Sequence, residues 1–230
     1  YFAPEDSETI LIKDVHRLKK IIQAENPGLP YFLYGFSMGS FMARKYLTMY
    51  GEGIDGAIIG GTGWKSEALL DFGIGMTTFL TGIKGGRYRS AKVENLAMGN
   101  YNYRISNPRT TADWLCTVDS VVDKFQANPK CTFKFTVNAY NALFKIIKYV
   151  QDPRNIKRIP PELPVMFMAG LEDPVGDYGE GVKKAVEQYL VNGMQNVSIK
   201  LYEGMRHEIH NEERKHIVYL DILEWLESLL

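Results

Sequence analysis

The chain has no surplus of either charge. Its 230 residues carry 27 Lys and Arg against 27 Asp and Glu, so no basic excess is available to neutralise phosphates, and nucleic acid is excluded as an expected partner. Cysteine is scarce. Cys116 and Cys131 are the only two, too few for a disulfide framework and without neighbours at metal-ligand spacing, so both are expected as buried free thiols and no metal is expected. Long apolar runs are missing as well. The most apolar stretch, Leu69 to Ile83, spans 15 residues and contains Asp71, short of the roughly 20 needed to cross a bilayer. The opening Tyr1-Phe2-Ala3-Pro4 brings no basic segment followed by an apolar one, and cytoplasmic placement is the expectation. Histidine is sparse too, with four, which keeps the search for a general base short. What remains is an ordinary globular composition, 45% hydrophobic and 23% charged, at a length suited to one substantial core.

The hydrophobic pattern alternates between two periods. Residues 6–25 read as an amphipathic helix with an apolar stripe of Ile10, Val15, Leu18, Ile21 and Ile22, ended by Asn26-Pro27-Gly28. A strand over 30–34 follows, apolar throughout and expected to be buried on both faces. A helix over 40–50 and a strand over 54–60 come next. The rhythm then breaks. Residues 64–160 show no clear strand, only helical pieces over 67–80, 109–128 and 136–149, rich in aromatics and Met. It resumes with a strand over 164–169, a helix over 180–192, a strand over 197–202 and a terminal helix over 212–230 with Ile217, Leu220, Leu223, Trp225 and Leu226 as its core side. Alternating strands and helices interrupted once imply an α/β fold, an open parallel sheet carrying a helical insertion. The expected division is 1–63 and 161–230 as body and 64–160 as a cap.

Between the first strand and its helix lies Gly35-Phe36-Ser37-Met38-Gly39. This is G-x-S-x-G in the strand, sharp turn, helix context in which the serine hydroxyl is pushed out beyond the sheet edge. Glycines two before and two after give strand and helix room to pass closely. The Met38 N–H then points to where an oxyanion would form. A serine needs a base, and the base an orienting acid. On a sheet of this kind the acid follows a later strand and the histidine follows the last. After the strand over 164–169 comes Glu172-Asp173-Pro174-Val175-Gly176-Asp177. Asp173 is the favoured acid, with Glu172 and Asp177 as alternatives and a structural Asp-Pro turn as the plain reading. After the last strand come His207 and His210. His207, on the loop, is the favoured base; His210, beside the candidate helix cap Asn211, is the alternative. His16, on the polar side of the first helix, is expected to be solvated, and His216 lies inside the last helix.

These residues resemble the α/β-hydrolase superfamily and, more closely, the bacterial monoacylglycerol lipase and lysophospholipase group of serine aminopeptidase-like hydrolases. The resemblance rests on Gly35 to Ser40, Gly60-Gly61-Thr62-Gly63, Gly170 to Gly176, and Arg206-His207-Glu208-Ile209 with Asn211-Glu212. It implies Ser37 as nucleophile, Asp173 as acid and His207 as base, with no cofactor. Phe36 stands where the family most often has His. The family begins with further strands and a His-Gly segment that supplies a second oxyanion donor; this sequence has no His-Gly pair. The expectation is therefore a chain lacking the family's N-terminal strands. It would cleave a lipid-like carboxylic ester, monoacylglycerol or lysophospholipid, with at most peripheral membrane contact through the cap. A catalytically impaired fragment, a peptidase and an acyltransferase are the alternatives. Phe36, Trp64, Phe72, Met76 and Phe79, with Leu69, Leu70 and Leu80, are candidates to line an acyl tunnel, against the plainer reading that they are cap-to-body packing.

Overall fold

The computed structural model describes residues 1–230. Four strands, β1 (Phe32–Phe36), β2 (Gly56–Gly60), β3 (Val165–Gly170) and β4 (Val197–Tyr202), form one parallel sheet in the order β1-β2-β3-β4. The register pairs Phe36 with Gly60, Gly60 with Met168, and Gly170 with Tyr202, so the C-terminal ends of all four strands come out along one sheet edge. In such a sheet, ligands bind beyond that edge.

Helices α1 (Ser7–Glu25), α2 (Met38–Tyr50) and α8 (Glu180–Val191) cover one face. Strand side chains alternate. Ala57, Ile59, Val165 and Phe167 meet Tyr46, Leu47, Val182, Ala185 and Tyr189 in the main core. Ile58, Met166 and Met168 point the other way, to Val218, Ile222 and Trp225 of α9 (Lys215–Glu227). Between β2 and β3 run α3 (Glu67–Lys84), α4 (Ala91–Met98), a short 3₁₀ turn (Asp113–Leu115), α5 (Asp119–Ala127), α6 (Val137–Gln151) and α7 (Pro153–Ile156), with no strand. Ser66, Ser90, Thr136 and Asp152 cap α3, α4, α6 and α7 through side-chain oxygens. Helix α6 packs against α3 and also against α1 and α2, building a second core from Leu70, Phe41, Tyr140, Phe144 and Ile147. No helix is long and apolar enough to cross a membrane.

Several expectations need correcting. Strand β1 is not buried on both faces: it pairs only with β2, and Tyr34 is exposed. On α1, Leu18, Ile21 and Ile22 are exposed while Leu11, Ile12, Val15 and Lys19 turn inward. With Ile10-Leu11-Ile12 in succession the helix is apolar on more than one side, and contact with α2 and α6 selects the stripe. Lys19 follows by laying its stem over the Tyr31 ring, Nζ 5.6 Å from the centroid. On α9, Leu220 and Leu223 are exposed and Val218 is the buried residue. The helix over 109–128 divides into the 3₁₀ turn and α5 because Asp113 closes its own turn, accepting from Arg109 N at 2.5 Å and Thr110 N at 3.3 Å. Cys116 is buried, but Cys131 is exposed. His16 is not simply solvated: it stacks on Tyr50 at 3.8 Å and bonds the Tyr46 hydroxyl at 3.0 Å.

Candidate active site

Strand β1 passes into α2 through a single residue, Ser37, at φ 54° and ψ −121°. A left-handed φ is costly for a residue with a side chain and persists only where its surroundings enforce it. Here Ser37 N–H donates to Gly60 O at 2.9 Å, holding it to the sheet, while Ser37 O accepts from Ser40 N at 2.9 Å and from Ser40 Oγ at 2.5 Å, holding it to the helix. The close passage is made at Gly35, where a Cβ would stand 2.5 Å from Ala43 Cβ and 2.4 Å from Gly39 O. Gly39 itself faces open space, so only the first of the two glycines is required by packing within this chain. Met38 is the first residue of α2, and its N–H has no acceptor within the helix.

Asp173 follows β3 and is fully buried. Its Oδ1 accepts from Val175 N at 2.8 Å, and its Oδ2 lies 2.9 Å from His207 Nδ1. His207 follows β4, is 2% exposed, and brings Nε2 to 2.8 Å from Ser37 Oγ. A hydrogen-bonded chain Ser37–His207–Asp173 thus runs across the sheet edge. It joins residues 34 apart at one link and 170 apart at the other. The two loops are tied to each other as well, Leu171 N to Tyr202 O and Glu172 N to Met205 O, each at 2.9 Å. Gly61, at φ 58°, makes room for the imidazole: a Cβ there would come within 2.9 Å of His207 Cε1.

The alternatives separate clearly. The Glu172 carboxylate lies 3.7 Å from Arg206 Nε, away from the imidazole. Asp177 adopts φ 50° in the turn before α8. His210 bonds the Tyr34 hydroxyl at 2.6 Å and touches Phe36 edge-on at 5.3 Å, and burial holds its pKa below the usual value.

Of the expected substrate contacts, Phe36 alone reaches the histidine, with its ring 5.0 Å from His207. Trp64 packs into the main core and lies 5.8 Å from the Arg44 guanidinium. Phe72 and Phe79 are 59% and 67% exposed, on the open side of α3. Met76 and Leu80 are partly buried with α6, and Leu70 is buried beside it.

The site has further neighbours that the sequence did not point to, from residues 64–160 and from α2. The Trp114 ring lies 5.1 Å from His207, with Tyr101 4.7 Å behind it. Lys65 Nζ donates to Val175 O at 3.1 Å; burial lowers its pKa, and Asp173 and Asp177 partly offset that. Arg44 is fully buried and donates to Thr62 Oγ1, Gly63 O and Val150 O at 3.1 to 3.3 Å, pinning the glycine-rich loop behind His207. Trp114 carried one signal, as one of three tryptophans in the chain. Arg44 carried none, because a lone Arg in a helix reads as surface.

Residues 5–214 match the family model described as serine aminopeptidase, S33. No curated protein sequence matches the chain. Among solved structures, a highly thermostable carboxyl esterase from Bacillus coagulans, in complex with glycerol, is 29% identical with a TM-score of 0.88, over 95% of this chain and 71% of that one. An open-form lipase is 22% identical with a TM-score of 0.87, over 97% and 73%. A monoacylglycerol lipase from Paleococcus ferrophilus is 19% identical with a TM-score of 0.69, over 95% and 76%.

Proposed function

This chain belongs to the serine aminopeptidase S33 family of α/β-hydrolases, and on that premise we propose that it hydrolyses carboxylic esters through an acyl-enzyme on Ser37. The observation that carries the reading is the unbroken chain from Ser37 Oγ through His207 to Asp173 at 2.8 and 2.9 Å, starting from a serine held in a strained turn. His207 Nε2 takes the hydroxyl proton as Oγ attacks the ester carbonyl. Asp173 accepts from Nδ1–H, fixes that tautomer and stabilises the imidazolium. The Met38 N–H, unused by α2 and at its positive end, donates to the developing oxyanion. His207 then protonates the leaving alcohol and activates water for deacylation.

Likeness to a carboxyl esterase at 29% identity supports an ester substrate over an amide. Within that class we favour a lipid-like ester, monoacylglycerol or lysophospholipid, with residues 64–160 as the cap over Ser37. The apolar walls by the base, Phe36 and Trp114, favour an uncharged group at that end. A peptidase is the second reading, favoured by the description of the matching family. Parallel turnover of monoacylglycerols, lysophospholipids and aminoacyl-anilides tests the choice. Ester cleavage that rises with acyl length is expected; anilide cleavage outpacing every ester would replace the proposal with the second reading.

A further inference from the structure

The loop that carries His207 is fastened to residues 113–117 by a buried carboxylate. Glu212 is 2% exposed. Its Oε1 accepts from Arg206 N at 2.9 Å and from Thr117 N at 3.0 Å. Its Oε2 accepts from Thr117 N at 3.2 Å and from the Thr117 hydroxyl. Thr117 lies 95 residues away in the chain, so a single side chain joins two distant segments. Other bonds run in parallel: Glu208 N to Leu115 O at 2.6 Å, His207 N to Trp114 O at 3.4 Å, and Arg206 Nη1 to Asp113 O at 2.8 Å and Cys116 O at 3.1 Å. Among these bonds lies the contact of the Trp114 ring with the imidazole.

We propose that Glu212 is a positioning residue for His207, locking residues 113–117 to residues 206–208 so that the insertion, as well as Asp173, aligns the base. The inference rests on His207 being the base of the hydrolase proposed above. The bond to Asp173 fixes one atom of the imidazole, Nδ1. The direction of Nε2 towards Ser37 depends also on where the loop backbone lies and on the rings against the imidazole. Glu212 governs both, because Arg206 N and Thr117 N lose their shared acceptor when it is removed, and buried donors without an acceptor force the backbone to move. Small displacements at a reacting centre cost far more in rate than in binding.

The test compares E212A, E212Q and wild type in the full chain. The measurements are kcat and KM on a short aryl ester, the rate of fluorophosphonate labelling, the proton NMR signal of the His207 Nδ1–H, and amide exchange at Thr117 and Glu208. Alanine removes both acceptor oxygens. Glutamine keeps one oxygen for Arg206 N and Thr117 N and can donate its amide to the Thr117 hydroxyl oxygen. E212A is expected to lower kcat roughly 10- to 100-fold with KM nearly unchanged. Labelling should slow, the Nδ1–H signal should broaden and protection should fall at both amides, with most of each retained in E212Q. A folded E212A with wild-type kcat, labelling rate and Nδ1–H signal overturns the proposal, even if its thermal stability is lower. If E212A does not fold, Thr117→Val decides: a several-fold loss of kcat supports the proposal and wild-type kcat overturns it. A wild type that neither hydrolyses esters nor labels defeats the hydrolase reading instead, while exchange and the Nδ1–H signal still report whether Glu212 holds the two segments together.

Discussion

The sheet-edge loops and helix α3 were both expected to contribute to the site, and they differ in how their side chains are aimed. Ser37, Asp173 and His207 each follow a strand of known register, and backbone bonds fix each on more than one side. On α3 the apolar residues lie all round: Leu70 is buried, Met76 partly buried, and Phe72 and Phe79 exposed. A loop at the end of a parallel strand can point its functional group in few directions. A helix apolar on several sides lets its neighbours decide which side goes in, and here the neighbour is α6.

This contrast can be broken by substitution, beginning where the effect is largest. Ser37→Ala should reduce kcat by about 10⁶-fold, since base and acid act through that oxygen alone; steady-state rates on an aryl ester check it. Asp173→Asn should reduce kcat by about 10⁴-fold while leaving the fold in place, because it deprives Nδ1–H of its carboxylate. Next comes Leu70→Ala in α3, expected to cost about 2–5 kcal/mol in denaturant unfolding through a cavity in the second core. Phe72→Ser and Phe79→Ser should change unfolding by about 0.5 kcal/mol or less, with rates near wild type; a large loss of activity on long-chain esters in either would return them to the substrate wall.

The smallest effect concerns pH. Burial holds His210 below its usual pKa, and His16 is lowered by burial and by Lys20 and Lys19. The unfolded chain therefore binds these protons more readily than the folded one. The contribution of these two histidines to stability is complete above about pH 6.5 and is lost as pH falls through the lower folded values. Melting temperatures taken from about pH 8 down to about pH 5 check the sign, and His210→Gln should flatten part of the slope.

The parts legible in the sequence were those fixed by local chemistry and topology. Four strands followed from alternating periods, the turn at Ser37 from its glycine spacing, and the loops after later strands pointed to Asp173 and His207, which the structure brings together with Ser37; the strand over 197–202 agrees at both ends. The 3₁₀ turn at 113–115 and helix α4 did not, because Asp113 and Ser90 make short local structures that interrupt any longer period. Nor did Glu212. It reads as one more acidic residue before a helix, and only the fold brings Thr117 to it. The exposed apolar residues of α1 and α9 show the same limit, since which side of an apolar helix is covered depends on what stands beside it.

Covalent labelling tests the central claim most directly. The purified 230-residue chain is treated with a fluorophosphonate and digested, and the modified peptide is sequenced by mass spectrometry. A serine activated by the His207 chain should carry the label at Ser37 in wild type, lose it in Ser37→Ala, and label far more slowly in His207→Ala. A wild-type chain that stays unlabelled, or label that persists at another serine in Ser37→Ala, would contradict Ser37 as the nucleophile.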